Sequence, residues 1–175
     1  MRRQFLPLCQ DRSGAAAEMA LVTPLLLIIM FGSLEMGNYF LDNHIVAKAV
    51  RDGARYAGRL SFTNYPCTSA STGNTPGGTV VDDTRNVTRT EQVASGGSPR
   101  LYNWTDGTTI TVNYDCVNPA AASPSYTGIY NGMSYLPVVK VSASVTYPSL
   151  FAKFGLISTG TFSLAAASQA TVDGI

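Results

Sequence analysis

One acidic side chain lies inside a long apolar segment near the start of the chain. Residues 15–34 contain only five positions that are not plainly apolar: Glu18, Thr23, Pro24, Gly32 and Ser33. An ionised carboxylate costs about 2 to 3 kcal/mol at the centre of a bilayer, and less near its edge, unless a cation pairs with it. Glu18 is therefore a candidate for an ion pair with a nearby cation. The alternative is that it lies at headgroup level and stays hydrated.

Two cysteines lie on the same side of this apolar segment. Cys67 and Cys116 follow it, whereas Cys9 precedes it. In an oxidising compartment, a disulfide between Cys67 and Cys116 would close a loop of roughly 50 residues and stabilise the fold by about 3 to 4 kcal/mol. The sequence predicts this disulfide, with two buried free thiols as the alternative.

The sequence contains no recognisable catalytic arrangement. It has no G-x-S-x-G motif, no phosphate-binding glycine loop and no metal-ligand spacing, and its single histidine, His44, reads as a surface residue. The net charge is +1 and the basic residues are spread along the chain, which argues against a nucleic-acid partner. We therefore expect no enzyme activity, no cofactor, no metal and no small-molecule substrate.

Residues 15–34 predict a transmembrane helix. Twenty residues at about 1.5 Å each cover roughly 30 Å, the thickness of a bilayer's hydrocarbon core. Residues 1–14 carry three arginines against one aspartate, which places this leader in the cytoplasm and the remainder on the exported side. Pro24 removes a helical amide and predicts a kink. A cleaved secretory signal is the alternative, although the segment exceeds the usual 7 to 15 residues of a signal core.

The helix is predicted to continue past the membrane over residues 35–60. Apolar residues recur there with helical period: Met36, Phe40, Ala47, Val50, Ala54 and Ala57. On the other face, Lys48 and Asp52 stand four residues apart, a spacing that allows an ion pair.

Residues 61–175 predict an exported α+β head domain. Three segments alternate apolar and polar residues as strands do: 110–116, 139–147 and 162–172. A short helix is expected over 82–94, with Asp83 as its cap and Gly96-Gly97 as its end, and loops are expected over 61–78 and 118–136. Because each strand has one apolar face, we expect a small antiparallel sheet packed on the second half of the long helix.

The amino-terminal third resembles a known family. DRSGAAAEMALVTPLLLIIMFGSLEMGNYF, followed by AVRDGARYAGR, is similar to the signature of TadE-like minor pseudopilins of the tight-adherence (Flp, type IVc) pilus. The resemblance covers residues 11–60, and it implies that the long helix and the predicted sheet form a pilin-like lollipop. It depends on the basic leader, the glutamate at the mouth of the span, the proline, Phe31-Gly32, Glu35-x-Gly37 and the segment from Gly53 to Ala57.

The resemblance implies processing at the amino end. In that family a prepilin peptidase cuts after a glycine, and the glutamate five residues into the mature chain neutralises a neighbouring subunit's new amino terminus. Gly14, Ala15 and Glu18 would take these roles here. A cut after Gly14 makes Glu18 only the fourth residue, whereas a cut after Ser13 restores the family spacing.

The resemblance also implies the function and the partners. We expect a single-pass protein of the bacterial inner membrane that takes part in assembling a tight-adherence pilus for adhesion and biofilm formation, with incorporation into the extracellular fibre as an open alternative. The implied partners are the membrane, other pilins or pseudopilins, assembly-platform proteins and the prepilin peptidase. The alternative function is a signal-anchored periplasmic binding module that enters no filament.

Overall fold

The computed structural model describes residues 11–118, 128–153, 155 and 162–174. The helices are α1 (Asp11–Gly58), α2 (Val80–Thr90) and α3 (Leu150–Lys153), and the strands are β1 (Ser71–Asn74), β2 (Ile110–Val117), β3 (Leu136–Thr146) and β4 (Ser163–Thr171). The chain divides into two compact units, Met1–Asn38 and Tyr39–Ile175. A long apolar helix followed by a small antiparallel sheet confirms the predicted α+β class.

The four strands form one antiparallel sheet in the order β1-β2-β3-β4. Three of them were predicted from alternation, and their register puts the apolar positions on one face: Tyr114 pairs with Val139, and Val145 with Leu164. The loop predicted over 61–78 is wrong at β1. Its sequence, Ser-Thr-Gly-Asn, has no apolar alternation. Pairing with β2 and a bond from Gly73 N to Asp115 Oδ1 (2.7 Å) hold it in the sheet.

The core lies between the apolar face of the sheet and the second half of α1. Its buried residues include Val46, Ala49, Val50, Ala54 and Ala57 from the helix and Ile110, Val139, Val141, Leu164 and Val172 from the sheet and its end. The predicted stripe is therefore right from Val50 onward. It is wrong at Met36 and Phe40, which are 56% and 54% exposed, because the buried face begins only at Val46.

Helix α1 ends at Gly58, two residues before the predicted end, where it meets the last strand. A Cβ atom on Gly58 would lie 2.8 Å from the Thr171 carbonyl oxygen, so only glycine permits this approach. The Asp173 amide then donates to the Gly58 carbonyl at 2.7 Å. The close approach and this hydrogen bond fix the end of α1 against β4.

Helix α2 differs from its prediction at both ends. It begins after Thr79, whose hydroxyl donates to the Asp83 carboxylate at 2.7 Å, so Asp83 lies in the first turn and is not the cap residue. It ends at Thr90 because Glu91 adopts a left-handed conformation with φ of 64°. The glycine pair 96–97 is therefore not the stop. In the predicted loop 118–136, positions 119–127 lie outside the described residues.

Candidate membrane and assembly segment

The apolar part of α1 is exposed along its length. Within Gly14–Gly58, an 18-residue window has a mean hydropathy of 2.0, and none of that window is buried inside the protein. By length and composition this helix is able to cross a membrane, which is compatible with single-pass anchoring. Its orientation across the membrane stays a prediction, as does the kink at Pro24, which lies within the helix.

The hydroxyl groups within this segment bond to the helix itself. Thr23 Oγ1 donates to the Met19 carbonyl at 2.6 Å, and Ser33 Oγ donates to the Met30 carbonyl at 2.8 Å. Moving a hydroxyl group from water into hydrocarbon without a hydrogen-bond partner costs on the order of several kcal/mol. The hydrogen bonds of Thr23 and Ser33 to the helix backbone lower this cost. The two polar side chains therefore fit a lipid environment.

Glu18 differs from these two hydroxyl-bearing residues. Its side chain is exposed, and the residues whose side chains are described offer it no ion pair. Gly14 and Ala15 are exposed in the same helix, and nothing lies within 4 Å of a Cβ atom placed on Gly14. Processing at Ser13, Gly14 or Ala15 and the ion pair of Glu18 stay predictions.

Residues 14–55 match the family model described as TadE-like protein. This match lies within residues 11–60, the range of the predicted resemblance, and confirms the resemblance for the matched residues. We call residues 14–55 the TadE-like segment. No curated protein and no solved structure matches the chain. The match stops at Arg55, so it leaves the sheet outside and gives no specific role in assembly or adhesion.

The carboxyl end of the TadE-like segment is held against α2. A Cβ atom on Gly53 would clash with Thr88 Oγ1, so the two helices touch where the glycine lacks a side chain. The Thr88 hydroxyl is held in this position because it donates to the Thr84 carbonyl at 2.7 Å. Both threonines are fully buried. Sequence reasoning placed Gly53 in the family signature but did not identify this contact.

A buried arginine completes the connection. The Arg100 side chain is only 8% exposed, and its Nη1 lies 2.9 Å from Asp52 Oδ2 and 3.1 Å from Glu91 Oε1. Asp52 therefore pairs with Arg100, and the ion pair that its spacing allowed with Lys48 is not formed. Sequence reasoning missed Arg100 because it stands alone in a stretch rich in Gly, Ser and Pro. The two carboxylates stabilise its charge, and this arrangement joins three segments without offering a reactive group.

The predicted disulfide is present. Cys67 and Cys116 are bonded, with their Cα atoms 5.6 Å apart, and the bond connects the segment after α1 to β2 across 49 positions of sequence. His44 is exposed on α1, as predicted. In the part of the chain that the structure describes, no group of three or more His, Cys, Asp or Glu residues could hold a metal ion.

Proposed function

We propose that this protein is a membrane-anchored minor pseudopilin that takes part in assembling a tight-adherence pilus. The supporting observation is that the TadE-like match contains the exposed apolar stretch of α1. An apolar surface of this length is unstable in water and requires lipid or neighbouring helices to cover it. In this proposal the membrane covers it first, and helices of other pilins or pseudopilins cover it during assembly.

Glu18 is the group through which we propose that subunits recognise each other. The hydroxyls of residues 15–34 bond internally, so the carboxylate is the polar side chain of that segment that needs a partner from outside. Cleavage by a prepilin peptidase creates an α-ammonium group at the membrane surface. Pairing a buried carboxylate with that cation lowers the cost of burying both charges.

The direction of the chain across the membrane is part of the proposal. The disulfide between Cys67 and Cys116 is typical of an oxidising compartment, and the arginines of residues 1–14 are typical of a cytoplasmic flank. We therefore propose a cytoplasmic leader, a span over residues 15–34 and a periplasmic head, in the inner membrane.

The mature amino terminus tests this function. Mass spectrometry of the protein extracted from membranes is expected to find Gly14 or Ala15 as the first residue. An intact Met1 on all of the membrane-bound protein would instead favour a signal-anchored periplasmic module that enters no filament.

Removal of the Glu18 carboxylate tests the ion pair. Glu18→Ala and Glu18→Gln should leave membrane insertion intact but reduce crosslinking to pilus components, because the neighbouring ammonium loses its partner. Glu35→Gln is the matched control, since it removes a carboxylate just beyond the predicted span. Crosslinking that is equal in all three variants and the unmodified protein would contradict the assigned role of Glu18.

A further inference from the structure

Five exposed apolar or aromatic side chains lie at one end of the sheet, where β3 finishes and β4 begins. Thr146 and Ser163 pair across these two strands and mark that end. We call the five side chains the apolar collar: Phe40 (54% exposed), Leu41 (64%), Tyr102 (98%), Leu150 (36%) and Phe162 (47%). They come from α1, from the loop before β2, from α3 and from the residue before β4.

Contacts within the unit formed by residues 39–175 bring the collar together. The Tyr39 hydroxyl donates to the Ser163 carbonyl at 3.4 Å, and its ring meets that of Tyr147 edge-on with centroids 5.3 Å apart. The Tyr147 amide in turn donates to the Phe162 carbonyl at 2.9 Å. Tyr39 therefore places the turn of α1 that carries Phe40 and Leu41 next to the end of the sheet that carries Phe162.

The two remaining members reach the same end by different connections. The Asn103 side-chain amide donates to the Thr146 carbonyl, which brings Tyr102 to the end of β3. Helix α3 begins three residues after Tyr147, and the Ser149 amide donates to the Tyr147 carbonyl at 3.0 Å. Leu150 therefore lies beside the same tyrosine, and Lys153 ends α3 with an exposed side chain.

The position of the collar along the chain points to lipid. Phe40 follows Leu34, the end of the predicted span, by six residues, or roughly 9 Å at about 1.5 Å per helical residue. The headgroup layer on each side of a bilayer is about 5 to 8 Å deep, half the difference between the full and the hydrocarbon thickness, so the Phe40 backbone lies just outside it. Helical side chains tilt towards the amino end of their helix, which lets the Phe40 ring reach back to headgroup level. Aromatic side chains are enriched at this depth, and a lysine stem can extend its ammonium to phosphate groups there.

We propose that the apolar collar docks on the bilayer surface, with its aromatic rings at headgroup level. This inference rests on the membrane anchoring within the proposed function and adds a contact made by the head itself. A bilayer fits better than a second protein chain because two members of the collar, Phe40 and Leu41, follow Leu34 by only six and seven residues of the same helix.

Site-directed spin labelling of the full chain tests the proposal. The background variant is Cys9→Ser, since Cys67 and Cys116 are bonded to each other. One nitroxide is placed by Phe162→Cys, Tyr102→Cys, Leu27→Cys or Val117→Cys, with one protein copy in each lipid nanodisc. Val117 is the matched control: it is 48% exposed and pairs with Leu136, at the other end of the eleven-residue β3, roughly 33 Å away at about 3.3 Å per residue.

The measured quantity is the ratio of collision rates with oxygen, which enters lipid, and with a water-soluble nickel chelate. We expect a ratio at positions 162 and 102 that is severalfold higher than at 117. Equal ratios at 162, 102 and 117, together with a high ratio at 27, would overturn the collar and leave the anchor standing. A low ratio at 27 would overturn the anchor as well.

The label at Tyr102 and a second measurement, on discs with two protein copies, complete the test. Tyr102 is almost fully exposed, so its replacement cannot disturb the core, and it reports on the collar even where Phe162→Cys fails to fold. Discs that hold two copies distinguish a protein contact. A high ratio at 162 and 102 that appears only there, with spin–spin broadening, would show that a second copy covers the collar and would overturn docking on lipid.

Discussion

Arg100 shows how much of the head depends on a single side chain. Its guanidinium is almost fully buried, between Asp52 of α1 and Glu91 at the end of α2, and its Nη2 donates to the Val87 carbonyl at 3.4 Å. A buried charge is tolerated only when ion pairs and hydrogen bonds replace its water. Three segments that are distant in sequence therefore meet at one cation.

Arg100→Ala is expected to lower the free energy of unfolding by about 2 kcal/mol, the range for hydrogen bonds to charged groups. The loss arises because Asp52 keeps a partly buried carboxylate without a partner. Asp82→Asn is the control: its pair with Arg85 is 3.5 Å long and Asp82 is 82% exposed, so loss of that ion pair should cost little, and Arg85 keeps its hydrogen bond to the Ile110 carbonyl. Equal denaturant midpoints for the two variants would show that Arg100 contributes no more than a surface pair.

Asp106 predicts a dependence on pH. Hydrogen bonds from Thr108 lower the pKa of its carboxyl below the ordinary 3.8, with smaller contributions from Arg89 and Arg85. A lowered pKa in the folded state stabilises the fold above the unfolded pKa, and this contribution is lost as pH falls through the folded pKa. Asp106→Asn should therefore melt below the unmodified protein at pH 7, and the difference should close on acidification below pH 3.8.

Asp42 provides the comparison of opposite sign. Burial raises the pKa of its carboxyl above the ordinary 3.8. Its contribution is favourable below the unfolded pKa and is lost as pH rises through the folded pKa. Asp42→Asn should therefore melt above the unmodified protein at pH 7. Melting differences of the same sign for the two variants, or differences that do not change with pH, would contradict both assignments.

Among the elements, α1 and α2 depend on a missing side chain at Gly53. Gly53→Ala should lower the free energy of unfolding by about 1 to 3 kcal/mol, the usual cost of overpacking, because the new methyl group meets Thr88 Oγ1. Unfolding of the head by denaturant measures this loss. Thr88→Ala in the same chain should recover part of it, since the obstructing oxygen is gone.

Gly37→Ala is the matched control for this helix. Nothing lies within 4 Å of a Cβ atom at Gly37, so alanine should leave stability unchanged or raise it by about 0.5 to 1 kcal/mol through its better helix propensity. A loss at Gly37 as large as at Gly53 would show that the contact with Thr88 does not explain the effect at Gly53.

The disulfide is the second connection between elements. Cys116→Ser should lower the free energy of unfolding by about 4 kcal/mol on the chain-entropy relation for a loop of this length, 49 positions. The melting temperature of the unmodified protein should fall similarly when a reductant is added. Cys67→Ser should match it, and the double variant should lose no more than either single one. Additive losses would show that the thiols act separately.

The elements that could be predicted are those whose packing repeats in the sequence. Strands β2, β3 and β4 alternate because one face is buried, and α1 has a helical stripe wherever it meets the sheet. β1 has no such repeat, since it depends on its neighbour and on Asp115. The end of α2 was misplaced because a non-glycine residue, Glu91, takes the left-handed conformation that glycine usually supplies.

At the scale of the whole molecule, some features of the candidate site could be predicted from the sequence, whereas others are evident only from the structure. The apolar segment and the cysteine pair could be predicted because transfer into lipid and disulfide formation depend on residue type. The ion pair of Glu18 stays a prediction. Arg100, Gly53 and the apolar collar could not be predicted, because each depends on residues brought together from distant positions. The TadE-like match ends at Arg55, close to the point where such long-range contacts begin to decide the structure.

The contact between Gly58 and β4 also orders events in time during synthesis. Leu164 and Val172 are fully buried in the core beneath α1, yet roughly 100 residues separate the end of the helix from β4. At about 5 to 20 residues per second, the ribosome needs roughly 5 to 20 s to make them. Throughout that interval the face of α1 that β4 will later cover remains exposed. This face consists mostly of alanine and glycine, so it offers little apolar surface to which a chaperone or a neighbouring nascent chain could bind. The small side chains that allow tight packing in the finished fold thus also limit premature association.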